Sequence, residues 1–404
     1  MPEHQKVACP DCGPTPVPHA IEKYSIIMGW FWRPYNRLMD ALWRHCEPVF
    51  VRMGGSRLGL PIFRIFEFLH IGKIVLDPTE KDSMRATRFW QEAKRRGIDM
   101  KELYVTGRPT ELFVAQYKGW VRIFTGLPRP DGAPSKGLEW MDDKGIMKTK
   151  FLAVGIPVAK GGVAFRWSTA KKLWQWVGAP VITKPNLGSR SRHTIIHINT
   201  EEALRHGFKV AKVLSPWVIV EQELTGSVHR ATVIGGKVAG VLRRDPPQVI
   251  GDGTHTVREL FDIENKNPLR NGEIFHTIED GPDADEELKR QNLTWQSVPA
   301  KGQFVPLNQK VGRSSGASNA DVTDETHPDN IKVFEKVAET LGDALVGIDF
   351  IIADISKSWK DQPGTGVIEC NSMPFIDLHH APMTGKVRNA AGALWDIVLP
   401  ASRS

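Results

Sequence analysis

Near its C-terminus the chain reads Val346-Gly-Ile-Asp-Phe-Ile-Ile352 and then Gly366-Val-Ile-Glu-Cys-Asn371. Each segment has the length and the apolar, β-branched content of a buried strand, yet each carries a carboxylate within its apolar run. A carboxylate in a buried strand is costly unless it meets a cation or hydrogen-bond donors. Side chains alternate along a strand, so Glu369 and Asn371 face one side, where Asp349 of a neighbouring strand can join them.

These three side chains form a candidate metal site. Two carboxylates and an amide oxygen are hard ligands, which suit Mg²⁺ carried on a nucleotide triphosphate, with Mn²⁺ as an alternative ion. The other interpretation is that each carboxylate pairs with an arginine or a lysine. Cys370 lies between the two ligands of the second strand and faces the opposite side, so we expect it in the core.

A lysine at the end of an earlier strand is suited to phosphate contact. Lys184 ends a strand predicted over 180–184, and a small-residue loop that includes Ser189 follows from Asn186 to Arg192. An ammonium group and the amides of such a loop can contact phosphate oxygens. Loops of this kind are common, so the feature is weak when taken alone.

A second polar strand end follows about 35 residues after Lys184. The apolar strand predicted over 217–221 continues into the polar residues Glu221, Gln222, Glu223 and Leu224. Backbone groups here could contact the edge of a purine between valine and isoleucine walls. The alternative is an ordinary strand end with solvated glutamates.

The order of these features resembles that of the ATP-grasp superfamily. More narrowly, three segments resemble the ATP-grasp part of cyanophycin synthetases: Gly251-Asp-Gly-Thr-His-Thr-Val-Arg-Glu-Leu260, Ser297-Val-Pro-Ala-Lys-Gly-Gln303 and Asp321-Val-Thr-Asp-Glu-Thr-His-Pro-Asp-Asn330. The resemblance runs from about Lys148 to Ile397. It does not cover residues 1–80, and it does not extend to the Mur-ligase-like domain of those enzymes.

This resemblance implies an α/β protein with an ATP-grasp fold, in which the nucleotide lies between two lobes. The implied organisation is an N-terminal, partly helical and Trp-rich extension over 1–80, a small α/β pre-ATP-grasp domain over 81–145, and the ATP-grasp domain over 146–404. Within 84–106, the helix, the Arg-Arg-Gly-Ile turn and the following strand are typical of small parallel sheets.

The resemblance also assigns roles to residues. It implies that Lys184 contacts the ATP phosphates, with Lys148 or Lys150 as the second nucleotide lysine, and that Ser189 belongs to the phosphate loop. The adenine–ribose linker is implied at Glu221–Leu224, and Mg²⁺ is implied at Asp349, Glu369 and Asn371. The basic residues implied near the phosphates or the acyl substrate are Arg230, Arg243 and Arg244.

The activity implied is that of an ADP-forming ligase, which joins a carboxylate to an amine through an acyl phosphate. An amino acid or a peptide is the expected substrate, and a homodimer is expected from the superfamily. Two alternatives stay open: an ATP-grasp phosphotransferase that releases a phosphorylated product, and a nucleotide-binding protein without turnover.

Composition narrows the partners without choosing one. The 404 residues carry a formal charge of +7, with 25% charged and 41% hydrophobic residues, which is typical of globular proteins with anionic partners. The basic residues are scattered and no nucleic-acid-binding motif is found, so nucleic acid is not expected. No apolar run reaches the length of a membrane-spanning helix and no signal peptide is evident, so we expect a cytoplasmic protein.

The N-terminal extension holds two further signals. Tryptophan and arginine residues over 24–50 are compatible with a helix that contacts a membrane surface, although packing on the body of the protein is the favoured interpretation. Cys9 and Cys12 form a lone CxxC pair, and a zinc site would need two more ligands, for which His19 and Cys46 are the nearby candidates. Their spacing matches no zinc module, so two reduced thiols in an irregular arm is the favoured interpretation.

Overall fold

The computed structural model describes residues 7–9, 13–15, 18–32, 35, 68, 72–130, 138–188, 192–272, 274–309, 311 and 316–402. The strands in these ranges are β1 (Val7–Cys9), β2 (Gly13–Thr15), β3 (Gly72–Val75), β4 (Asp99–Val105), β5 (Arg108–Tyr117), β6 (Trp120–Thr125), β7 (Gly161–Ala164), β8 (Val181–Pro185), β9 (Ile195–Ile198), β10 (Val218–Gln222), β11 (Ser227–Ile234), β12 (Lys237–Asp245), β13 (Gln248–Ile250), β14 (Phe304–Pro306), β15 (Ser318–Asp321), β16 (Leu345–Ile352) and β17 (Gly366–Asn371). The α-helices are α1 (19–32), α2 (Met84–Arg95), α3 (Leu138–Met141), α4 (Lys144–Ala153), α5 (Trp167–Val177), α6 (Glu201–Leu214), α7 (Val257–Asn265), α8 (Pro282–Arg290), α9 (Pro328–Leu341), α10 (Asp377–His380) and α11 (Ala390–Val398).

A five-stranded antiparallel sheet carries the predicted carboxylates. Its order is β15-β12-β11-β16-β17, and β11 and β12 form a hairpin whose turn is Gly235-Gly236, with positive φ at both residues. This turn is the one that the sequence predicts. One face of the sheet packs on α9 and α4 through a core that includes Phe334 and Phe350. Cys370 is 1% exposed in that core, as expected from strand alternation.

A four-stranded antiparallel sheet carries the predicted lysine. Its order is β7-β10-β8-β9, and α5 and α6 cover one face through residues such as Val181, Val218 and Val220. The segment between α4 and β7 connects the two sheets. Its Pro157 carbonyl accepts a hydrogen bond of 2.8 Å from the Val367 amide of β17, and its Lys160 carbonyl accepts one of 2.7 Å from the Gln222 amide of β10.

Residues 72–125 form an antiparallel meander of order β3-β4-β5-β6, so the parallel-sheet interpretation of 84–106 is wrong. Two-residue turns, Thr106-Gly107 and Lys118-Gly119, have positive φ at both positions and close the hairpins without a crossover helix. Because β3 pairs with β4, a boundary at residue 80 would cut this sheet. We propose that the unit begins before Gly72.

The N-terminal residues are more ordered than an irregular arm. β1 and β2 form a short hairpin, and α1 follows it and packs on the second sheet, with the rings of Trp30 and Trp217 5.8 Å apart. The predicted membrane-contact segment 24–50 lies mostly outside the described residues. Among the helices that the structure describes, none is both long enough and apolar enough to cross a membrane.

Arg129 joins the end of the meander to the five-stranded sheet. Its guanidinium donates to both carboxylate oxygens of Asp343, at 2.8 and 3.2 Å, and also to the carbonyl of Ser372, just after β17. The Asp343 side chain is 1% exposed, so the pair is removed from water. The end of the strand that carries Glu369 and Asn371 is therefore held by this arginine.

We expect Arg129→Ala to lower the free energy of unfolding by about 3–5 kcal/mol, because it leaves the Asp343 carboxylate buried without its cation. Urea denaturation followed by tryptophan fluorescence measures this change. The control is Lys237→Ala. The Lys237 side chain is 81% exposed, so loss of its ion pair with Glu335 should cost less than about 1 kcal/mol. Equal stability of the two variants would contradict the role of Arg129.

Candidate active site

Lys184 and Glu221 meet on one face of the four-stranded sheet β7-β10-β8-β9, the face that α5 and α6 do not cover. Lys184 is paired across the strands with Ile219, two residues before Glu221, so both side chains project from the same face. The Lys184 ammonium lies 2.6 Å from one carboxylate oxygen of Glu221, and Lys148 of α4 donates to the other oxygen. Glu221 is 1% exposed. One buried carboxylate is therefore shared by two lysines from different elements.

The charges in this cluster depend on one another. Burial alone would raise the pKa of Glu221, but the ammonium groups of Lys184 and Lys148 outweigh it and hold that pKa below its ordinary value. Burial lowers the pKa of Lys148, and the Glu221 carboxylate opposes that shift. The pairing therefore opposes the cost of burying the Glu221 carboxylate and the Lys148 ammonium group.

Lys144, which sequence reasoning missed, is a buried lysine on which both this cluster and Glu369 of the five-stranded sheet act electrostatically. It is the first residue of α4 and is 7% exposed. Burial lowers the pKa of Lys144, while the negative charge of Glu369 acts most strongly in the opposite direction, with the charges of Lys184 and Glu221 also acting on it. Lys144 is therefore close to both halves of the predicted site.

The start of α4 explains why Lys144 could have been found. Asp143 caps the helix by accepting from the Ile146 amide at 3.1 Å. Asn186, in the loop after Lys184, donates to the same Asp143 oxygen at 3.0 Å and accepts from the Gly145 amide at 2.9 Å. An Asp before an apolar periodic run is a helix-start signal, so the sequence could have placed Lys144 in the first turn of this helix.

Arg230, Asp349 and Glu369 are aligned across three neighbouring strands of the five-stranded sheet. Asp349 of β16 lies directly opposite Arg230 of β11 on one side and Glu369 of β17 on the other. Both Asp349 oxygens accept hydrogen bonds from Arg230, at 2.5 and 2.7 Å. Burial would raise the pKa of Asp349, but Arg230 outweighs it and holds the pKa below its ordinary value. The alternative of pairing with an arginine is thus realised for Asp349.

Glu369 and Asn371 differ from Asp349 because no arginine pairs with them among the described residues. Among the described residues, Glu369 has no hydrogen-bond partner and no ion pair for its carboxylate. The Asn371 Nδ2 is buried and has no hydrogen-bond partner among the described residues. A carboxylate has about four lone-pair positions, so Asp349 keeps acceptor capacity beside its two bonds from Arg230. This oxygen-rich set fits a magnesium ion, with Glu369 as the most available ligand.

The predicted arginines divide between the two faces of the sheet. Arg244 is paired across the strands with Val228, two residues from Arg230, so it shares the face of Arg230, and its charge helps to lower the pKa of Asp349. Arg243 alternates to the opposite face and forms an ion pair of 2.8 Å with Asp245. The structure brings Arg230 and Arg244 together with Asp349 and places Arg243 away from them.

The predicted linker adopts an extended path beside the lysine cluster. Gln222 and Leu224 are half-buried. The Glu223 amide donates to the Pro180 carbonyl at 3.2 Å, and the Glu223 carboxylate lies 2.6 Å from the Nδ1 of His197. The side chain of Glu221 is occupied by lysines rather than pointing to solvent. Ser189 lies outside the described residues.

The architecture is that of an ATP-grasp protein. It matches the crystal structure of a bifunctional glutathione synthetase from Pasteurella multocida with a TM-score of 0.59 and 24% sequence identity, over 78% of this chain and 44% of that chain. The predicted fold class is therefore confirmed.

Within this class the chain resembles cyanophycin synthetases. It is 33% identical to the cyanophycin synthetase of Trichormus variabilis over 272 residues, which are 66% of this chain and 30% of the synthetase. It is also 39% identical over 176 residues to the glutathione biosynthesis bifunctional protein GshAB of Mannheimia succiniciproducens, covering 42% of this chain and 23% of that protein. The chain thus spans 30% or less of the length of these two relatives. No protein-family model matches it.

We expect Glu221→Gln to lower the free energy of unfolding by about 3–5 kcal/mol, because Lys148 and Lys184 lose their shared counter-ion. Addition of Mg·ATP should recover part of the loss, since phosphates supply negative charge and ligand binding stabilises the folded state. Denaturant titrations with and without nucleotide measure both effects.

The matched control is Glu223→Gln, which removes a more exposed pair with His197 and should change stability by less than about 1 kcal/mol. A Glu221→Gln variant as stable as this control would show that the shared carboxylate does not support the cluster.

Proposed function

We propose that this chain is an ATP-dependent ligase that joins a carboxylate to an amine through an acyl phosphate. The observation that carries the proposal is the convergence of buried charges from two sheets. Lys148 and Lys184 share the counter-ion Glu221 on one side, and Arg230, Asp349 and Glu369 are aligned on the other, while the charges of both groups act on the buried Lys144. The names of the similar proteins, cyanophycin synthetase and glutathione synthetase, support this class of reaction.

The lysines would bind the phosphates. Two ammonium groups contact one carboxylate, and Lys144 is buried at the start of the helix that carries Lys148, so positive charge is in excess in a largely buried setting. A triphosphate there would gain charge-assisted hydrogen bonds and relieve the burial cost of Lys144 and Lys148. The adenine and ribose would lie along Glu221–Leu224, where backbone groups and the apolar wall of β10 are available.

Glu369, Asn371 and Asp349 would hold Mg²⁺ in this proposal. When bound, the ion would offset the negative charge that develops during phosphoryl transfer. Arg230 keeps Asp349 ionised and fixes its orientation, so the carboxylate needs no proton loss or rotation before it acts.

Two bond exchanges would follow from this arrangement. A substrate carboxylate oxygen attacks the γ-phosphorus, the bond to the bridging oxygen of ADP breaks, and an acyl phosphate forms. The amine nitrogen then attacks the acyl carbon, the bond from that carbon to the phosphate oxygen breaks, and the amine loses a proton. Arg230 and Arg244 lie on the face where the negative oxygen of the tetrahedral intermediate would develop, and Arg243 does not.

An amino acid or a peptide is the substrate class that we infer from the relatives. A homodimer, a cytoplasmic location and the absence of nucleic-acid partners stay predictions from the sequence. Peripheral membrane contact is supported by exposed aromatic side chains in α1, where Trp30, Phe31 and Trp32 are each about half exposed or more.

The decisive experiment measures ADP release with Mg·ATP and a panel of amino acids and short peptides, followed by mass spectrometry of the products. A ligase releases ADP only when an acid and an amine are both present, and the product contains a new amide. A stable phosphorylated product would indicate the phosphotransferase alternative. Nucleotide binding without turnover on any substrate pair would indicate a non-catalytic protein.

Lys148 and Lys150 give a matched comparison on one helix. Lys148 is buried against Glu221, whereas Lys150 is exposed over the ring of Trp140. We expect Lys148→Met to raise the KM for ATP by about 10- to 100-fold, the value of a charge-assisted hydrogen bond. Lys150→Met should stay within about 2-fold of the wild-type KM. The reverse order would move the second nucleotide lysine to Lys150.

We expect Glu369→Gln to lower kcat by about 100-fold or more, because the amide cannot supply the negative charge that the metal requires. The melting temperature should remain near the wild-type value, since no ion pair of the described residues is broken. The control is Glu339→Gln on the exposed side of α9. Normal turnover of the Glu369→Gln variant would refute the metal assignment.

A further inference from the structure

Three metal-ligating side chains that belong to neither half of the candidate active site meet where the N-terminal hairpin reaches the sheet β7-β10-β8-β9. They are Cys9 at the end of β1, His19 at the start of α1 and His193 just before β9, and one ligand atom from each lies within 4.8 Å of the other two. His193 is 2% exposed. We propose that Cys9, His19 and His193 bind a zinc ion that fastens the N-terminal arm to the ATP-grasp body.

Two of the three distances between the ligand atoms match those of a tetrahedral zinc site. The Nε2 atoms of His19 and His193 are 3.2 Å apart, and the Sγ of Cys9 is 3.6 Å from the Nε2 of His193. Zinc–nitrogen and zinc–sulfur bonds of about 2.05 and 2.3 Å at tetrahedral angles predict separations of about 3.3 and 3.6 Å.

The hydrogen bonds of the two imidazoles point to a cation between them. The Nδ1–H of His193 donates to the Val210 carbonyl at 2.9 Å, because a carbonyl can only accept. The Nδ1 of His19 lies 2.9 Å from the carboxylate of Glu22, which likewise accepts. The two Nε2 atoms approach each other to 3.2 Å, and when both rings are neutral each presents a lone pair that a cation between them would accept.

These same contacts are the outer partners that zinc-bound histidines have in proteins. A backbone carbonyl and a carboxylate, each bonded to the far ring nitrogen, fix the tautomer and the ring orientation. Glu22 is in turn bonded to Arg192 at 2.9 Å, the residue before His193. The rings of His19 and His193 are nearly perpendicular, at 88°, which brings both ε nitrogens to one point.

The sequence adds a zinc-like context to the geometry. Cys9 pairs with Gly13 in the hairpin, and in the sequence it is the first cysteine of a CxxC pair, a spacing typical of zinc ligands. Cys12 lies outside the described residues, and the proposal rests on the three described ligands. His193 is separated from His19 by 174 residues, so no local spacing rule could have connected them.

The experiment uses the full chain, purified under reducing conditions without a polyhistidine tag and then equilibrated with zinc against a weak competing chelator. Metal content is measured by atomic emission. We expect about one zinc per chain in the wild type and in His206→Asn, an exposed histidine of α6 that serves as the control. Cys9→Ser and His193→Asn should each lose the stoichiometric zinc.

A graded variant and a spectrum guard against simple unfolding. Glu22→Gln keeps all three ligands and should weaken zinc binding by about 10- to 100-fold, the typical effect of an outer partner. Cobalt in place of zinc should show tetrahedral d–d bands and a thiolate charge-transfer band in the wild type.

The proposal would be overturned by a wild-type chain that binds no zinc beyond the level of His193→Asn. It would equally be overturned if Cys9→Ser and His193→Asn both retained full zinc, or if the wild-type cobalt spectrum lacked the thiolate band. None of these outcomes depends on the proposed ligase activity, because every readout is metal binding.

Discussion

The sharing of Glu221 by two lysines is the interaction on which the candidate site depends. A single carboxylate with 1% exposure would be too costly to bury alone, and so would either ammonium group. Together they join α4 to β8 and β10, the elements that form the lysine face. The lysines are held in position before any ligand arrives, so an incoming phosphate does not bear the entropy cost of ordering them.

In the five-stranded sheet the two carboxylates differ in whether an arginine pairs with them. Arg230 neutralises Asp349 through two hydrogen bonds, while Glu369, one strand away, accepts none from the described residues. One carboxylate is thus fixed and the other remains available to a cation. The charges of both Glu369 and the lysine cluster act on the pKa of Lys144. An excess of positive charge on one side and a free carboxylate on the other suit a phosphate chain that carries a divalent ion.

Local patterns in the sequence were sufficient wherever a short-range rule applied. The strand Gly366–Asn371 was predicted residue for residue, and the Gly235-Gly236 turn follows from its glycine pair. The features that local patterns did not predict correctly depend on tertiary contacts or on competing local signals. The meander of 72–125 is antiparallel because two tight turns outweigh a helix–strand pattern. Which lysines share Glu221 could not be read from spacing, whereas the opposite faces of Arg243 and Arg244 follow from simple alternation.

The zinc proposal and the nucleotide proposal meet at the loop between Asn186 and His193. At one end, Asn186 is bonded to Asp143 and to the Gly145 amide at the start of the lysine-bearing helix α4. At the other end, His193 is bonded to the Val210 carbonyl of α6 and belongs to the metal cluster. The proposed metal ligand His193 and the residue that holds the start of α4 are thus only seven positions apart in the sequence, and each is fixed to a different helix of the protein, His193 to α6 and Asn186 to α4.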